Sequence, residues 1–552
     1  MIVFRLMSHT LPNGGLFCHK SSDTRMPATL RRFIAAWFCL GACVWAGTVT
    51  DHNLIAAAKS NDANRVRTLL SQSADVNVTE PDGSTALHWA VLRDNIEIAD
   101  LLIAAGANVK AATRYTITPL SIACTNGDAA MIDRLLKVGA DPNAATEEGQ
   151  TALMTASRNG NFDAVKLLLS RGAKVNEKEG FRGQTALMWA ASEGNASAAE
   201  MLIEFGAQVP AKSNNGSTAL LFAVRNGHIA AAETLLKHGA NVNDSAPDGT
   251  SALNMAIVNA YFELASVLLS HGADPNATDP RGSALHILTW LRRPGADGAA
   301  GVGNTPHGPP PQTGNVTAIE LAKSLLEHGA NPNSRIEWKE KRFDKEGGTT
   351  KNPPDIQLGR HLLSYVGATP FYMAAHNGDV AYMRLLVEHG ADPKIPTRAG
   401  ITPLMAAAGL DYWEGEAPGP FTGVPETERL EAVKLALSLG NDINAHADFG
   451  NYPMTGDTSY TLLYYPLNMD ELMDLGVGDP RWSGSTPLIG AVVSGQPSIV
   501  QFLIDHGADP RAQTKLGWTP LAVSEGVFFA NAKKEFPEAA KIIKKAIANQ
   551  AR

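Results

Sequence analysis

Apolar side chains recur along most of this chain in short stretches whose spacing predicts pairs of helices. In one unit, the first stretch opens with Leu153-Met154-Thr155-Ala156 and the second runs from Phe162 to Leu169. Apolar positions three and four residues apart lie on one face of a helix, so each stretch predicts a short amphipathic helix. One such pair cannot bury its own apolar face. We therefore expect successive pairs to stack on one another.

The helix pairs recur with a fixed period. A Gly-x-Thr-x-Leu motif, or a variant of it that lacks the Gly or has Ser251 in place of Thr, opens these units, and its leucines from Leu87 to Leu253 are spaced by 33, 33, 34, 33 and 33 residues. The threonine hydroxyl can cap a helix, and the proline that often follows it loses no hydrogen bond at the first helical position. Most units close on a Gly-Ala pair such as Gly139-Ala140, where glycine suits the left-handed end of a helix. The period predicts a repeat solenoid.

The motif residues resemble the ankyrin repeat. Thr85-Ala86-Leu87-His88-Trp89-Ala90, followed by Leu101 to Ala107, is similar to that family's T-P-L-H-x-A pattern. The resemblance covers most of residues 52–535. It implies an all-α solenoid of about twelve helix–turn–helix units with β-turn fingers, regular over 52–290. It also implies that the protein binds another protein through its concave surface, without enzymatic activity or a cofactor.

Two later steps of the period are much too long. Leu285 to Phe371 is 86 residues and Leu404 to Leu488 is 84, so two units each carry a pair of insertions. Stacked helices tolerate no extra residues, so we expect the insertions at exposed edges of the array. We expect the two finger insertions to overhang or cover part of its concave surface. The predicted segments are a repeat at 291–334 completed after a Gly/Pro-rich insertion, a finger insertion at 335–364, repeats at 365–445 interrupted at 411–427, an aromatic-rich finger insertion at 446–482, and the last repeats with a cap at 483–552.

By resemblance to ankyrin binders, the partner-contacting positions are the finger tips and the ends of the first helices. In the second half, Tyr412 and Trp413 and the aromatic residues of 446–482 are candidates, because an exposed Trp must pack on the array or on a partner. The aromatic insertion either forms a small core of its own or presents a patch to a partner. The candidates are Arg93, Asn126, Arg158, Asn159, Arg182, Glu193, Arg225, Asn226, Tyr412, Trp413 and Trp482.

Other conspicuous residues are interpreted as structural. Cys124 is expected to be a buried, unreactive thiol. One repeat position carries large apolar side chains, and because it usually holds a core leucine in ankyrin repeats, we predict that these residues face the core: Trp89, Trp189, Phe222, Met255 and Met373. The histidines are expected to bond turns and helix-end carbonyls rather than a metal ion: His88, His286, His238, His271, His328, His389 and His506.

The N-terminus carries a targeting pattern. In residues 26–46, Arg31 and Arg32 precede an apolar run, which is typical of a signal peptide cleaved after Ala46. Residues 1–25 are then an unstructured extension or a mis-called start. Leu40-Gly41-Ala42-Cys43 also resembles a bacterial lipobox. The alternatives are a periplasmic or secreted protein, a lipoprotein anchored through Cys43, and an uncleaved anchor, with no transmembrane span expected once a signal is removed.

Charge and motifs narrow the function. The net charge of −8 shows no basic excess, so nucleic acid is not the expected partner. The chain contains no His-Glu-x-x-His, Gly-x-x-x-x-Gly-Lys or Gly-x-Ser-x-Gly motif, so no metal or catalytic site is predicted. We expect an exported scaffold or adaptor. The alternatives are an enzyme or carbohydrate-binding or small-ligand-binding protein with a site built by the C-terminal insertions, and a secreted effector acting on host proteins.

Overall fold

A computed structural model of the chain describes residues 53–279, 281–292, 313–337, 367–410, 424–448, 483–529 and 532–550. These residues form twelve helix pairs, which confirms the predicted all-α array of about twelve units. Contacts divide the chain into two compact units, 1–122 and 123–552, with the division falling inside the fifth helix.

Each pair consists of a first helix that follows a finger and a second helix that returns. The first helices are α1 (53–59), α3 (Ala86–Leu92), α5 (Pro119–Asn126), α7 (Ala152–Arg158), α9 (Ala186–Ser192), α11 (Ala219–Arg225), α13 (Ala252–Val258), α15 (Ala284–Arg292), α17 (Pro370–His376), α19 (Pro403–Ala408), α21 (Pro487–Val493) and α23 (Pro520–Gly526). The second helices are α2 (Ala63–Ser71), α4 (Ile96–Ala104), α6 (Ala129–Lys137), α8 (Phe162–Ser170), α10 (Ala196–Glu204), α12 (Ile229–Lys237), α14 (Phe262–Ser270), α16 (Ala318–Glu327), α18 (Val380–Glu388), α20 (Glu426–Ser438), α22 (Pro497–Asp505) and α24 (Pro537–Gln550).

The motif residues make the local contacts that begin and end these helices. At the start of α17, the Thr369 hydroxyl accepts a hydrogen bond from the Tyr372 amide at 3.1 Å. At the end of α12, Gly239 has φ +86°, and the next amide, that of Ala240, donates to the Leu235 carbonyl at 2.9 Å. Only glycine adopts that conformation without strain, which explains its recurrence at this position.

Burial of one apolar face holds the pairs together in the unit of 123–552. Second helices from α6 to α16 pack on one another in order, as do first helices from α7 to α19. Leu168, Leu202, Leu235 and Leu268 occupy one position of successive second helices and are fully buried. Because each pair covers the apolar face of its neighbour, the array needs no single large core.

Two short hairpins accompany the helices and were not predicted. Strands β1 (Thr278–Asp279) and β2 (Gly282–Ser283) pair antiparallel in the finger before α15. Strands β3 (Val527–Phe529) and β4 (Ala532–Lys534) pair between α23 and α24. In the part of the chain that the structure describes, no helix is both long and apolar enough to cross a bilayer.

Two long segments, 337–366 and 448–483, stand where regular repeats have a two-residue finger tip. In a regular finger, the Thr146 amide donates to the Gln150 carbonyl at 2.9 Å, and the Gly149 amide donates back to Thr146 at 2.8 Å. The same pair of bonds joins Ile336 to Ala368 and Gly367, and joins Ala447 to Ser485 and Gly484, at 2.7–3.0 Å. The repeats on either side of each long segment therefore keep the geometry of a normal finger.

The ends of the first helices are exposed at α7 and α11 and buried at α17 and α21. Arg158 and Asn159 at the end of α7 are exposed, whereas His376 and Asn377 at the end of α17 are buried. At α21 one cause is visible. A Cβ on Gly490 would lie 2.7 Å from the backbone nitrogen of Leu410, so the chain leaving α19 lies directly against this helix. The ends of the first helices therefore meet solvent at α7 and α11 and are covered at α17 and α21.

A candidate partner-binding groove

Two adjacent cavities lie along the fingers and first helices between α7 and α13. The first has a volume of about 280 Å³ and the second about 350 Å³. Both are lined by Phe222 and Arg225, so the two cavities adjoin. We call this pair of cavities the Arg groove and define it by Arg158, Arg182, Trp189, Phe222 and Arg225.

The sequence-predicted contact residues are partly brought together here. The first cavity is lined by five of them, namely Arg158, Arg182, Glu193, Arg225 and Asn226. Asn126 lies at the end of α5 and does not line either cavity. Asn159 donates its side-chain amide to the carbonyls of Cys124 and Thr125, both at 3.1 Å, which is a structural role. Arg93 ends α3 in the other compact unit, where it is exposed.

Several predictions lie outside the described residues. They are the signal peptide at 26–46 with Cys43, most of the insertions at 292–316, 335–364, 411–427 and 446–482, and the candidate contacts Tyr412, Trp413 and Trp482.

The aromatic floor of the groove corrects one prediction. Trp189 and Met255 were expected to face the core, yet both are only half-buried and line the groove, whereas Phe222 lines it while being buried as predicted. Trp189 follows the buried Leu187 by two residues, which turns it about 200° around a helix of 3.6 residues per turn. The side chain therefore points away from the second helices and toward the finger side. Met373, at the same repeat position, is fully buried as predicted.

The groove carries more positive than negative charge. Its carboxylates are Glu193 and Asp248. Glu193 lies 3.6 Å from Arg158 Nε in an exposed ion pair, and the Arg158 guanidinium lies 5.5 Å from the Trp189 ring centroid. Among the described residues, neither Arg182 nor Arg225 forms an ion pair. Two guanidinium groups are thus available to a ligand beside an aromatic surface.

The finger beside the groove is one residue longer than its neighbours, which accounts for the 34-residue spacing from Leu153 to Leu187. The buried Glu179 carboxylate organises it by accepting the amides of Phe181, Arg182 and Gln184 at 2.7, 2.8 and 3.0 Å. Phe181 is held at the tip with 77% of its surface exposed, and the Arg182 guanidinium lies 5.8 Å from its ring centroid. The irregular spacing was the sequence signal that could have identified this finger.

Because the Glu179 carboxylate bonds its own finger, the tryptophan on the groove floor lacks a hydrogen bond that the corresponding tryptophan of another unit has. At the corresponding position of another unit, Glu80 accepts the Trp89 indole N–H at 2.8 Å. The Trp189 indole N–H is buried and has no such partner among the described residues. In the longer finger, the Glu179 carboxylate accepts backbone amides and does not accept the Trp189 indole N–H.

Replacing Glu179 by alanine is expected to disorder this finger. Three backbone amides would lose their acceptor, which we expect to destabilise the folded protein by about 1–3 kcal/mol. Hydrogen exchange at the amides of Phe181, Arg182 and Gln184 should become faster. Glu148→Ala, an exposed glutamate of the neighbouring finger, is the control and should leave these rates unchanged. Unchanged rates in Glu179→Ala would refute this role.

The remaining chemistry-bearing residues have structural roles. Cys124 is buried, as predicted, and burial raises the pKa of its thiol to about 12. Helix-end histidines bond the carbonyl four residues earlier through Nδ1 at 2.7–3.0 Å, which confirms the prediction for His271, His328, His389 and His506. Across the described ranges, no cluster of three or more His, Cys, Asp or Glu side chains could hold a metal ion.

Comparison with known proteins gives the same family along most of the array. The family model for three ankyrin repeats matches residues 54–146, 120–213 and 187–279, and the single-repeat model matches 366–398 and 483–515.

Individual relatives each match only part of this chain. The ankyrin repeat protein YahD of Escherichia coli (strain K12) is 28% identical over 175 residues, which is 28% of this chain and 87% of YahD. The ankyrin repeat and LEM domain-containing protein 1 homolog of Caenorhabditis elegans is 39% identical over 77 residues, 14% of this chain and 11% of that protein. Palmitoyltransferase akr1 of Schizosaccharomyces pombe is 42% identical over 60 residues, 11% of this chain and 9% of that enzyme.

Ankyrin repeats support a role as a protein–protein interaction scaffold, and proteins of this kind are generally binding proteins rather than enzymes. The helix pairs, the fingers and the family matches over 54–279, 366–398 and 483–515 all lead to the same assignment. This chain belongs to the ankyrin-repeat family.

Proposed function

We propose that this protein is an exported scaffold that binds a partner protein through the Arg groove and the finger at 179–184. The observation that carries the proposal is the gathering of five predicted contact residues around one depression in the regular repeats. A rigid, preformed surface loses little conformational entropy on binding, so modest contacts suffice for affinity.

The burial pattern favours the regular repeats over the later ones as the binding surface. Arg158, Arg225 and Asn226 are exposed at the ends of their helices, whereas the equivalent residues of α17 and α21, including Ser494, are buried. A partner can reach the first set without displacing other parts of the chain.

Capture from the native envelope fraction tests this site. We expect the protein to retain a specific partner that is lost from the Arg182→Ala/Arg225→Ala variant. Arg171→Ala is the matched control, since Arg171 pairs with Asp133 away from the groove and should not affect capture. A third variant replaces 448–483 by a two-residue finger tip between Ala447 and Gly484, which preserves the finger bonds. Loss of capture only in that variant would move the site to the insertion, and absence of any specific capture would remove the scaffold proposal.

Export is tested separately. The signal-like sequence at 26–46 motivates it, and we expect the mature chain in the envelope or medium to begin at Gly47. N-terminal sequencing and mass measurement distinguish this product from one lipidated at Cys43. Recovery of the chain from the cytosol with residues 26–46 intact would contradict export.

A further inference from the structure

We propose that the Arg groove binds an acidic segment of its partner, with a carboxylate between Arg182 and Arg225 and an apolar side chain against Phe181. This inference rests on the proposed function and adds to it the chemistry of the partner. It is carried by the charge of the groove and by the way its finger is built.

The groove has more positive than negative groups, and two of its arginines have no ion-pair partner among the described residues. Three guanidiniums line the groove against two carboxylates, and the Asp248 carboxylate already accepts the Thr250 amide at 3.0 Å. Arg182 and Arg225 have no ion pair within the described ranges. Guanidinium groups match carboxylates in shape and can bind them through two parallel hydrogen bonds. A partner bearing Asp or Glu at this point would therefore complement the surface.

Phe181 offers an exposed apolar surface at the tip of the finger beside the groove. A phenylalanine with 77% of its surface exposed normally moves freely, but the Glu179 carboxylate fixes the backbone on which this one stands. Phenylalanine and arginine are both enriched at protein–protein interfaces relative to the rest of the surface. The Phe222 and Trp189 side chains line the groove itself, and Arg182, which also lines it, contacts the Phe181 ring. The expected partner segment thus combines acidic residues with at least one large apolar residue.

A nucleic acid fits this surface less well. Phosphate backbones are bound by extended basic surfaces, whereas the groove has three arginines on a chain of net charge −8. In the groove, charged and aromatic side chains lie next to one another over a short distance. This arrangement suits a peptide with one or two carboxylates.

The test uses a random twelve-residue peptide display library selected on the purified protein. We expect the enriched peptides to be net negative and to contain an aromatic or large aliphatic residue. One enriched peptide is then titrated by fluorescence anisotropy. Its Kd should rise about tenfold or more in Arg182→Ala/Arg225→Ala and in Phe181→Ala, and also when NaCl is raised from about 50 to about 500 mM. Arg171→Ala should leave the Kd unchanged.

Phe181→Ala and the arginine variant should differ in one respect. Phe181→Ala should retain the salt dependence of the parent protein, whereas loss of both arginines should remove most of it. Circular dichroism of each variant shows that the helices remain intact, which is expected because all three side chains are exposed.

Distinct outcomes separate this inference from the proposed function. Enrichment of neutral or basic peptides whose binding still requires groove residues would overturn the acidic partner and leave the scaffold proposal standing. Failure to enrich any peptide, or acidic peptides that bind the arginine variant equally well, would also overturn the inference. A single-stranded oligonucleotide that binds the groove more tightly than the enriched acidic peptides would replace the acidic protein by a nucleic acid.

Discussion

Replacing Arg292 by alanine is expected to lower the free energy of unfolding by about 3–5 kcal/mol, because it would leave a buried carboxylate without its counter-charge. Arg292 Nε lies 2.7 Å from Asp379 Oδ2, and its Nη2 lies 3.0 Å from Oδ1. Only 4% of the Asp379 side chain is exposed, and its Oδ1 also accepts the Tyr382 amide at the start of α18. The pair therefore joins α15 to α18 across the long segments that separate them in sequence.

The contrast with an exposed pair makes this prediction specific. Arg158→Ala also removes an arginine from an ion pair, but that pair is exposed, and we expect a change below about 1 kcal/mol. The double variant Arg292→Ala/Asp379→Asn should be less destabilised than Arg292→Ala alone, because it no longer buries a charge. Urea unfolding followed by circular dichroism measures all three. Equal losses of unfolding free energy in Arg292→Ala and Arg158→Ala would show that the buried pair stabilises the protein no more than the exposed pair does.

Acidification is expected to destabilise the protein through His286. Burial lowers the pKa of this fully buried imidazole to about 4, although its hydrogen bond to the Ala368 carbonyl acts in the opposite direction. The ring accepts the Ser283 amide at Nδ1 (3.1 Å), and its Nε2 donates to Ala368 (3.1 Å). His286 thus connects the start of α15 to Ala368, which lies two residues before α17.

The direction of the effect follows from the two pKa values. An unfolded histidine has a pKa of about 6.5, so between pH 6.5 and 4 the unfolded state binds the proton and the folded state does not. The stabilising contribution is complete above pH 6.5 and is lost as the pH falls toward 4, with about 2 kcal/mol lost between pH 7 and pH 5. The loss approaches about 3 kcal/mol at pH 4.

His286→Gln tests this assignment. The variant should be less stable than the parent at pH 7, but its stability should change less between pH 7 and pH 5. His506→Gln, which alters an exposed histidine at the end of α22, should retain the pH dependence of the parent. Urea unfolding midpoints at the two pH values provide the measurement. A His286→Gln variant with the full pH dependence would assign the effect to other groups.

Local structure was largely predictable because it depends on neighbours in the chain. Thr369 caps α17, Gly239 ends the turn after α12 and His271 bonds its own helix end, all through contacts within about one helical turn. The same locality explains why the 33-residue period predicted helix pairs, and why the 34-residue step marked the longer finger of Glu179.

The candidate site was only partly predictable. Arg158, Arg182 and Arg225 were singled out because of their repeat positions, and they do line one groove. Trp189 on the aromatic floor was misassigned because the family pattern places a core leucine at its position. Nothing along the chain indicated that the Glu179 carboxylate would serve its own finger instead of the tryptophan.

The sequence by itself determined the family, the helix pairs and their caps, because each depends on residues a few positions apart that repeat with the period. The tertiary structure alone decided which polar groups are buried. Arg292 and Asp379 are 87 residues apart, and His286 and Ala368 are 82 apart, so no spacing rule joins them. Burial depends on which distant segments pack over a residue. For that reason, equivalent helix ends are exposed at Arg158 and buried at His376.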